Sequence, residues 1–183
     1  MIELEIMDNK QTKKMAFEYL LTLMQKWGNE KNPSVHYYSF TRLKALKLLF
    51  FAAAVKNKEG QDLLDVFDNF YALPNGPVES DIYNLITSDL LSYYSFKDFY
   101  FTAKQPYNEE ELSDDIKVRI NTAVEALKQK NERIVSYSAE QLVLLSHTWV
   151  SWQTSIQIAK ALGKGSYHMD VVKIRSNNQY FIL

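Results

Sequence analysis

The sequence contains no cysteine in its 183 residues, and it has only five glycines and four prolines. Without cysteine, disulfides, thiol nucleophiles, iron–sulfur clusters and cysteine-based zinc sites are excluded. The glycines form neither a Walker A loop nor a dinucleotide-binding fingerprint. The segment Gly163-Lys164-Gly165-Ser166 lacks the preceding strand of a phosphate-binding loop, so a helix end followed by a turn explains it better.

An excess of one charge and long apolar runs are also lacking. The 21 basic and 22 acidic residues leave a formal charge of −1, which provides no general attraction to nucleic acid or to an anionic membrane. The densest basic group, Lys10, Lys13 and Lys14, fits a solvated helix face. No run approaches the roughly 18 apolar residues of a membrane span, and the acidic start lacks the apolar core of a signal peptide. We therefore expect a cytoplasmic protein with neither membrane nor direct nucleic-acid partners.

Length and periodicity predict one mostly helical domain over residues 1–183, because a chain this long can bury one core and is short for two. Apolar residues at three- and four-residue intervals predict an α+β bundle of about six helices, over residues 11–27, 40–55, 74–87, 113–131, 138–145 and 152–162. A small β element is expected near residues 96–103, where Phe99 and Phe101 alternate with Tyr100 and Thr102. The C-terminal segment is another candidate strand.

Local residue types indicate where these helices begin and end. Thr12 is a candidate N-cap for the first helix, with Gly28 as its stop. Ser113 is the expected N-cap of a later helix, and Ser138 with Gln141 forms the pattern of a capping box.

Two segments differ in how evenly their apolar residues are distributed. The helix over residues 40–55 is apolar on most of its surface, so we expect it at the centre of the core. Residues 63–71 have mixed periodicity and predict a short helix or an irregular buried segment.

A sharp turn is predicted at Asn75-Gly76-Pro77-Val78. Asparagine and glycine tolerate positive φ, and proline suits the first turn of a helix because it lacks an N–H. Glu79 and Asp81 then place negative charge at the positive end of a helix dipole. The pattern predicts a rigid turn that starts a short helix through Ile82, Tyr83 and Ile86.

The residues that usually carry chemistry are scattered. The three histidines, His36, His147 and His168, have no partner at metal-ligand spacing, so structural or surface roles explain them better. The acidic runs at residues 109–111 and 114–115 fit the start of a helix, and no serine nucleophile elbow is present. We predict no catalytic residues, no cofactor and no metal. A hydrolase or small-ligand enzyme using the histidines stays as an alternative.

Aromatic residues make up 14% of the chain and mostly indicate core packing. Four tyrosines near the middle of the sequence fit either core packing or a solvent-exposed hydroxyl edge equally well: Tyr93, Tyr94, Tyr100 and Tyr107. Trp149 and Trp152 follow His147 closely and predict a buried aromatic corner with the imidazole hydrogen-bonded to backbone. A contact with a partner protein is the alternative for that corner.

Three segments, in order along the chain, resemble one family. The apolar helix over residues 43–52 is similar to the early core helix of that family. Phe70-Tyr71, followed by Asn75-Gly76-Pro77-Val78 and Tyr83, resembles its signature turn. The third segment, Ser138 to Leu142 with Leu144 to His147 and Trp152, resembles its C-terminal block. The chain is therefore identified, from about residue 40 to its end, as similar to the Panacea domain, whose members are also described as SocA-like or phage-associated proteins. Residues 11–27 form an N-terminal extension to this region.

The resemblance implies a mostly helical fold and a bacterial or phage antitoxin that neutralises a cognate toxin by direct binding. Some family members act as adaptors that deliver a toxin to a cytoplasmic protease, which is the alternative function. The sequence departs from the family pattern in its inserted Leu73-Pro74, in Ser146 at a usual threonine, and in having no proline before Trp152. The expected interaction surface consists of the signature residues Tyr71, Asn75, Gly76, Pro77, Val78, Tyr83, His147 and Trp152.

Overall fold

The computed structural model describes residues 2–33, 40–97 and 101–183. The helices in these ranges are α1 (Ile2–Lys31), α2 (Arg42–Ala54), α3 (Ser80–Thr87), α4 (Asp114–Lys130), α5 (Ala139–His147), α6 (Val150–Ala161) and α7 (Val171–Ser176). The strands are β1 (Phe70–Leu73), β2 (Gly76–Glu79), β3 (Tyr94–Ser95), β4 (Thr102–Ala103) and β5 (Tyr167–His168). The predicted mostly helical α+β class is confirmed. No helix among the described residues is long and apolar enough to cross a bilayer.

Helix α2 lies at the centre of the core, as its all-round apolar surface predicts. Thr41 caps its first turn by accepting a hydrogen bond from the backbone N–H of Lys44. Every residue from Lys44 to Ala54 is buried, and the helix packs against β2, α4 and α5. A helix surrounded on all sides fixes the positions of the elements around it.

Helix α1 is longer than predicted. It begins at Ile2 rather than near Gln11, and it continues through Gly28 to Lys31, so the proposed cap at Thr12 and stop at Gly28 are wrong. Glycine costs only about 1 kcal/mol inside a helix, and Gly28 remains helical where its backbone packs beside Val135. The apolar side of α1 packs on α4, α3 and α2.

The principal sheet has the antiparallel order β2-β1-β5. Phe70 pairs with Glu79 and Leu73 with Gly76, so residues 70–79 form a hairpin, and Tyr71 pairs with His168 at the other edge. The prediction that Pro77 starts a helix is wrong, because Pro77 lies in β2 and α3 starts at Ser80. Proline is tolerated there because β2 is an edge strand and needs no N–H on its outer side.

The second sheet consists of β3 and β4, in which Tyr94 pairs with Ala103. Strand β4 lies within the range predicted for the β element, residues 96–103, and β3 comes directly before that range. Phe99 and Tyr100 lie outside the described residues. Tyr93 and Tyr94 are buried and Tyr107 is half-buried, so these tyrosines belong to the core.

The remaining boundaries agree with the sequence in part. Ser113 occupies the N-cap position of α4, but its side chain makes no capping hydrogen bond, whereas the capping box of Ser138 and Gln141 is present at α5. Residues 63–69 form an irregular, mostly buried segment, one of the two predicted alternatives, and the last two residues of the predicted range, Phe70 and Tyr71, belong to β1. The C-terminal segment contains α7, which the sequence does not predict. Strand β5 lies just before this helix in the sequence.

Candidate functional site

The predicted signature turn is the tip of the hairpin over residues 70–79, here called the signature hairpin. Pro74 and Asn75 form its exposed turn, and Gly76 follows with a φ of +95°. A Cβ at Gly76 would overlap the hydroxyl of Ser146 and lie 3.0 Å from Nζ of Lys47. Glycine is therefore required both for the backbone conformation and for the close approach of α2 and α5.

Lys47 on α2 binds the backbone of β2 from the side of the core. Its side chain is fully buried, and Nζ donates a hydrogen bond of 2.5 Å to the carbonyl oxygen of Pro77. Burial lowers the pKa of Lys47 to about 7, since a low-dielectric site disfavours the ammonium form. The sequence pattern does not predict this lysine as a site residue, although the two lysines of a helix that is apolar on most of its surface, Lys44 and Lys47, were a signal that could have identified it.

A second contact with the hairpin comes from the pair formed by His147 and Trp152. Their rings are stacked, with centroids 3.8 Å apart and an interplanar angle of 6°. The indole N–H of Trp152 donates to the carbonyl oxygen of Leu73 at 3.0 Å. Burial and the nearby Lys47 lower the pKa of His147, and a hydrogen bond with the Pro74 backbone opposes this shift. The net effect favours the neutral form of the imidazole.

The buried aromatic corner predicted around His147 is present. Trp149 is fully buried, and its indole packs edge-on against Phe50, with centroids 4.7 Å apart. The Nε2 atom of His147 is buried without a hydrogen-bond partner among the described residues.

The other predicted site residues differ in exposure. Val78 is buried in β2, and Tyr71 is half-buried, with its ring 5.3 Å from His168 in an edge-on contact. Tyr83 is 36% exposed on α3, where the guanidinium of Arg42 lies 5.9 Å from its ring centroid. The structure thus groups Tyr71, residues 75–78, His147 and Trp152 at one hairpin and places Tyr83 on the helix that follows.

A partly buried ion-pair cluster joins α1 to the base of the hairpin. The Lys13 ammonium donates to Asp68, Glu79 and Asp81 at 2.7, 2.8 and 2.7 Å. Burial opposes the charged form of Lys13, but hydrogen bonds to the three carboxylates outweigh it and raise its pKa. The prediction that Lys13 lies on a solvated face is therefore wrong.

Glu79 has two partners besides Lys13. Its Oε2 accepts from the backbone N–H of Ile82 at 2.8 Å and caps α3, while Oε1 accepts from Asn69 N–H at 3.2 Å. The carboxylates of Asp68, Glu79 and Asp81 lie close enough to hold a metal ion, with one oxygen of each within 4.8 Å of the others. The Lys13 ammonium contacts all three and occupies the position that a cation would take.

The histidines do not form a common site among the described residues. His147 stacks on Trp152, whereas His168 is exposed and lines an open cleft of about 400 Å³ together with Lys10 and Asp68. His36 lies outside the described residues. Neither of the two described histidines makes a hydrogen bond or ion pair with a carboxylate.

Together, the fold and the site define a mainly helical protein in which contacts from α1, α2, α5 and α6 hold one hairpin whose turn is exposed. A family model described as "Antitoxin SocA-like, Panacea domain" matches residues 46–153, more than half of the chain. The chain therefore belongs to the SocA-like antitoxin family with a Panacea domain, and the predicted resemblance is confirmed. No curated protein and no solved structure shows significant similarity to the chain.

Proposed function

We propose that this protein is an antitoxin that neutralises a cognate toxin by direct protein–protein binding in the cytoplasm. The observation that supports the proposal is the extent of the family match. Residues 46–153 contain the whole signature hairpin, Lys47 beneath it and the His147–Trp152 pair that holds its turn. The segment shared with an antitoxin family is thus the segment that forms the rigid hairpin.

A preformed hairpin suits a binding role. Because Lys47 and Trp152 fix the carbonyl groups of Pro77 and Leu73, little conformational freedom is left to lose when a partner binds. Gly76, Pro77 and Val78 are buried, so we assign them a scaffolding role. Asn75 and Tyr83 are the signature residues whose side chains are exposed enough to contact a toxin.

A binding role also fits the polar groups near the hairpin. Lys47 and Ser146 are both fully buried, and each donates to a backbone carbonyl, of Pro77 and Val143 respectively. Groups without access to a substrate are better explained as parts of the scaffold. We therefore propose that the protein acts without catalysis.

The decisive experiment is co-expression with the product of the neighbouring open reading frame. We expect that product to arrest growth alone, growth to recover when this protein is present, and the two to co-purify as a complex. Absence of both rescue and complex would overturn the proposal. Repeating the rescue in a host that lacks its ATP-dependent cytoplasmic proteases distinguishes masking from delivery. A masking antitoxin still rescues in that host, whereas a proteolytic adaptor does not.

A further inference from the structure

The longest stretch without a charged side chain runs over residues 141–159. Charged residues make up 23% of the protein, so a stretch of this length would carry about four at the average frequency. His147 lies within it, and burial lowers its pKa and so favours its neutral form. The stretch covers most of α5 and α6, which are surface helices with several exposed positions.

The exposed positions of this stretch make the lack of charge informative. Surface helices normally carry charged residues on their solvent side, as α4 does with Asp114, Asp115, Glu125 and Lys130. Between Glu140 at the start of α5 and Lys160 at the end of α6, every exposed position of these helices and of the turn between them holds an uncharged side chain: Gln141, Leu144, Thr148, Val150, Gln153, Thr154 and Gln157. We call this set the charge-free face. Core packing does not account for it, because all seven positions are exposed.

Two of its members are exposed aliphatic side chains. Leu144 is 59% exposed and Val150 is 41% exposed. Val150 follows Trp149, whose indole N–H donates at 2.7 Å to the carbonyl oxygen of Tyr180, a residue that is itself 43% exposed. The backbone of the C-terminal segment therefore lies against the residue that precedes Val150.

On another side, the charge-free face meets the signature hairpin. Trp152 lies on α6 between Val150 and Gln153, and its indole N–H binds the Leu73 carbonyl beside the hairpin turn. The face also includes Gln153, whose side-chain amide donates to the carbonyl oxygen of His147. One partner can thus contact both the turn and the two helices.

We infer that the charge-free face is the docking surface for the cognate toxin, and that the toxin presents an uncharged face to it; this inference rests on the proposed function. Charge complementarity supports this assignment. A charged toxin side chain buried here would find no counter-charge on residues 141–159, and an unpaired buried charge costs several kcal/mol. Interface cores are correspondingly depleted of charged residues. The affinity should therefore be nearly independent of salt, because no ion pairs are screened.

The test introduces one charge of either sign at Leu144. Leu144→Lys and Leu144→Glu are compared with Val118→Lys on α4, a site of similar exposure (63%) that also lies four residues after an acidic residue. The dissociation constant of the purified complex is measured at 50 and 500 mM NaCl. We expect both Leu144 variants to bind roughly 10- to 100-fold more weakly, Val118→Lys to bind like the wild type, and the wild-type constant to change less than about threefold with salt.

Each other result has a definite meaning. Wild-type rescue with unchanged binding by both Leu144 variants would overturn the docking surface and leave the proposed function standing. Loss of binding with one sign only would show that the toxin face is charged. A change in the oligomeric state of the protein alone, measured by light scattering, would assign the face to a second copy instead. Failure of the wild type to rescue or bind would overturn both proposals. If a Leu144 variant melts lower than wild type, Thr154→Lys on α6 replaces it in the same comparison.

Discussion

At the residue scale, Lys47 combines complete burial with a titratable side chain. In the folded protein it loses its proton near pH 7, whereas in the unfolded chain it keeps it to about pH 10.5. Unfolding between these values takes up a proton, so the free energy of unfolding should rise with pH there, by up to roughly 1.4 kcal/mol per pH unit.

Replacing Lys47 by methionine should remove this dependence. We expect wild type to gain stability from pH 7 to pH 9, and Lys47→Met to have a flatter profile over the same range. Urea denaturation at pH 7, 8 and 9 measures both slopes. Parallel profiles for the two proteins would contradict the depressed pKa.

Gly76 provides a second test at this scale. Gly76→Ala should destabilise the protein by about 2–4 kcal/mol, because a left-handed backbone and an overlap with Ser146 act together. The matched control is Gly60→Ala, since Gly60 also has a positive φ, +78°, but nothing within 4 Å of an added Cβ. Its cost should be limited to about 1–2 kcal/mol. Equal melting temperatures for the two variants would exclude the steric contribution.

At the element scale, the Lys13 cluster links α1 to the hairpin and to α3. Lys13→Met should destabilise the protein by roughly 3–5 kcal/mol, because it leaves the fully buried Glu79 carboxylate without its counter-charge. Adding Glu79→Gln to this variant should recover part of the loss. The control is Lys31→Met, which breaks an exposed pair with Glu132 and should cost less than about 1 kcal/mol. Similar costs for both lysines would contradict the role assigned to the cluster.

The elements show what the sequence could and could not predict. Helices α2, α4 and α5 were predictable because their burial pattern and caps are local properties of the chain, as in the Ser138–Gln141 capping box. The hairpin was missed because Pro77 and Glu79 are also typical of a helix start. Glu79 does cap α3, but only pairing with β1 extends the preceding residues into a strand.

The candidate site was predictable only in part, and for a related reason. The hairpin turn and the His147–Trp152 pair carry recognisable residue patterns, so the sequence identified them. Lys13 and Lys47 act through partners distant in sequence: Lys13 contacts Glu79, 66 residues away, and Lys47 contacts Pro77, 30 residues away. Single-sequence patterns do not contain such contacts.

At the scale of the whole molecule, α1 lies outside the family match at residues 46–153 and yet contributes to the core. Phe17, Leu20 and Met24 are almost completely buried. Each such side chain contributes about 1.5–3 kcal/mol, and the sum is a large part of the 5–15 kcal/mol that stabilises a typical domain. We therefore propose that residues 1–183 form a single domain that includes α1.

Deleting α1 tests that proposal. A fragment of residues 40–183 should be insoluble or should lack a cooperative thermal transition, measured by circular dichroism, because the partners of α1 on α4 and α3 would be exposed. The matched control is full-length protein carrying Lys26→Ala on the exposed side of α1, which should melt like wild type. A fragment that folds cooperatively would show that α1 is a separable extension.

The burial of Lys47 also allows opening of the hairpin to be measured by chemical modification of this lysine. An amine-reactive reagent reaches Nζ only when β2 lifts away from α2, so the rate at which Lys47 is modified measures how often the hairpin opens. A partner that binds over the hairpin would slow this modification while leaving exposed lysines such as Lys58 unaffected. Mass spectrometry of the modified peptides would then report occupancy of the hairpin without any label on the partner.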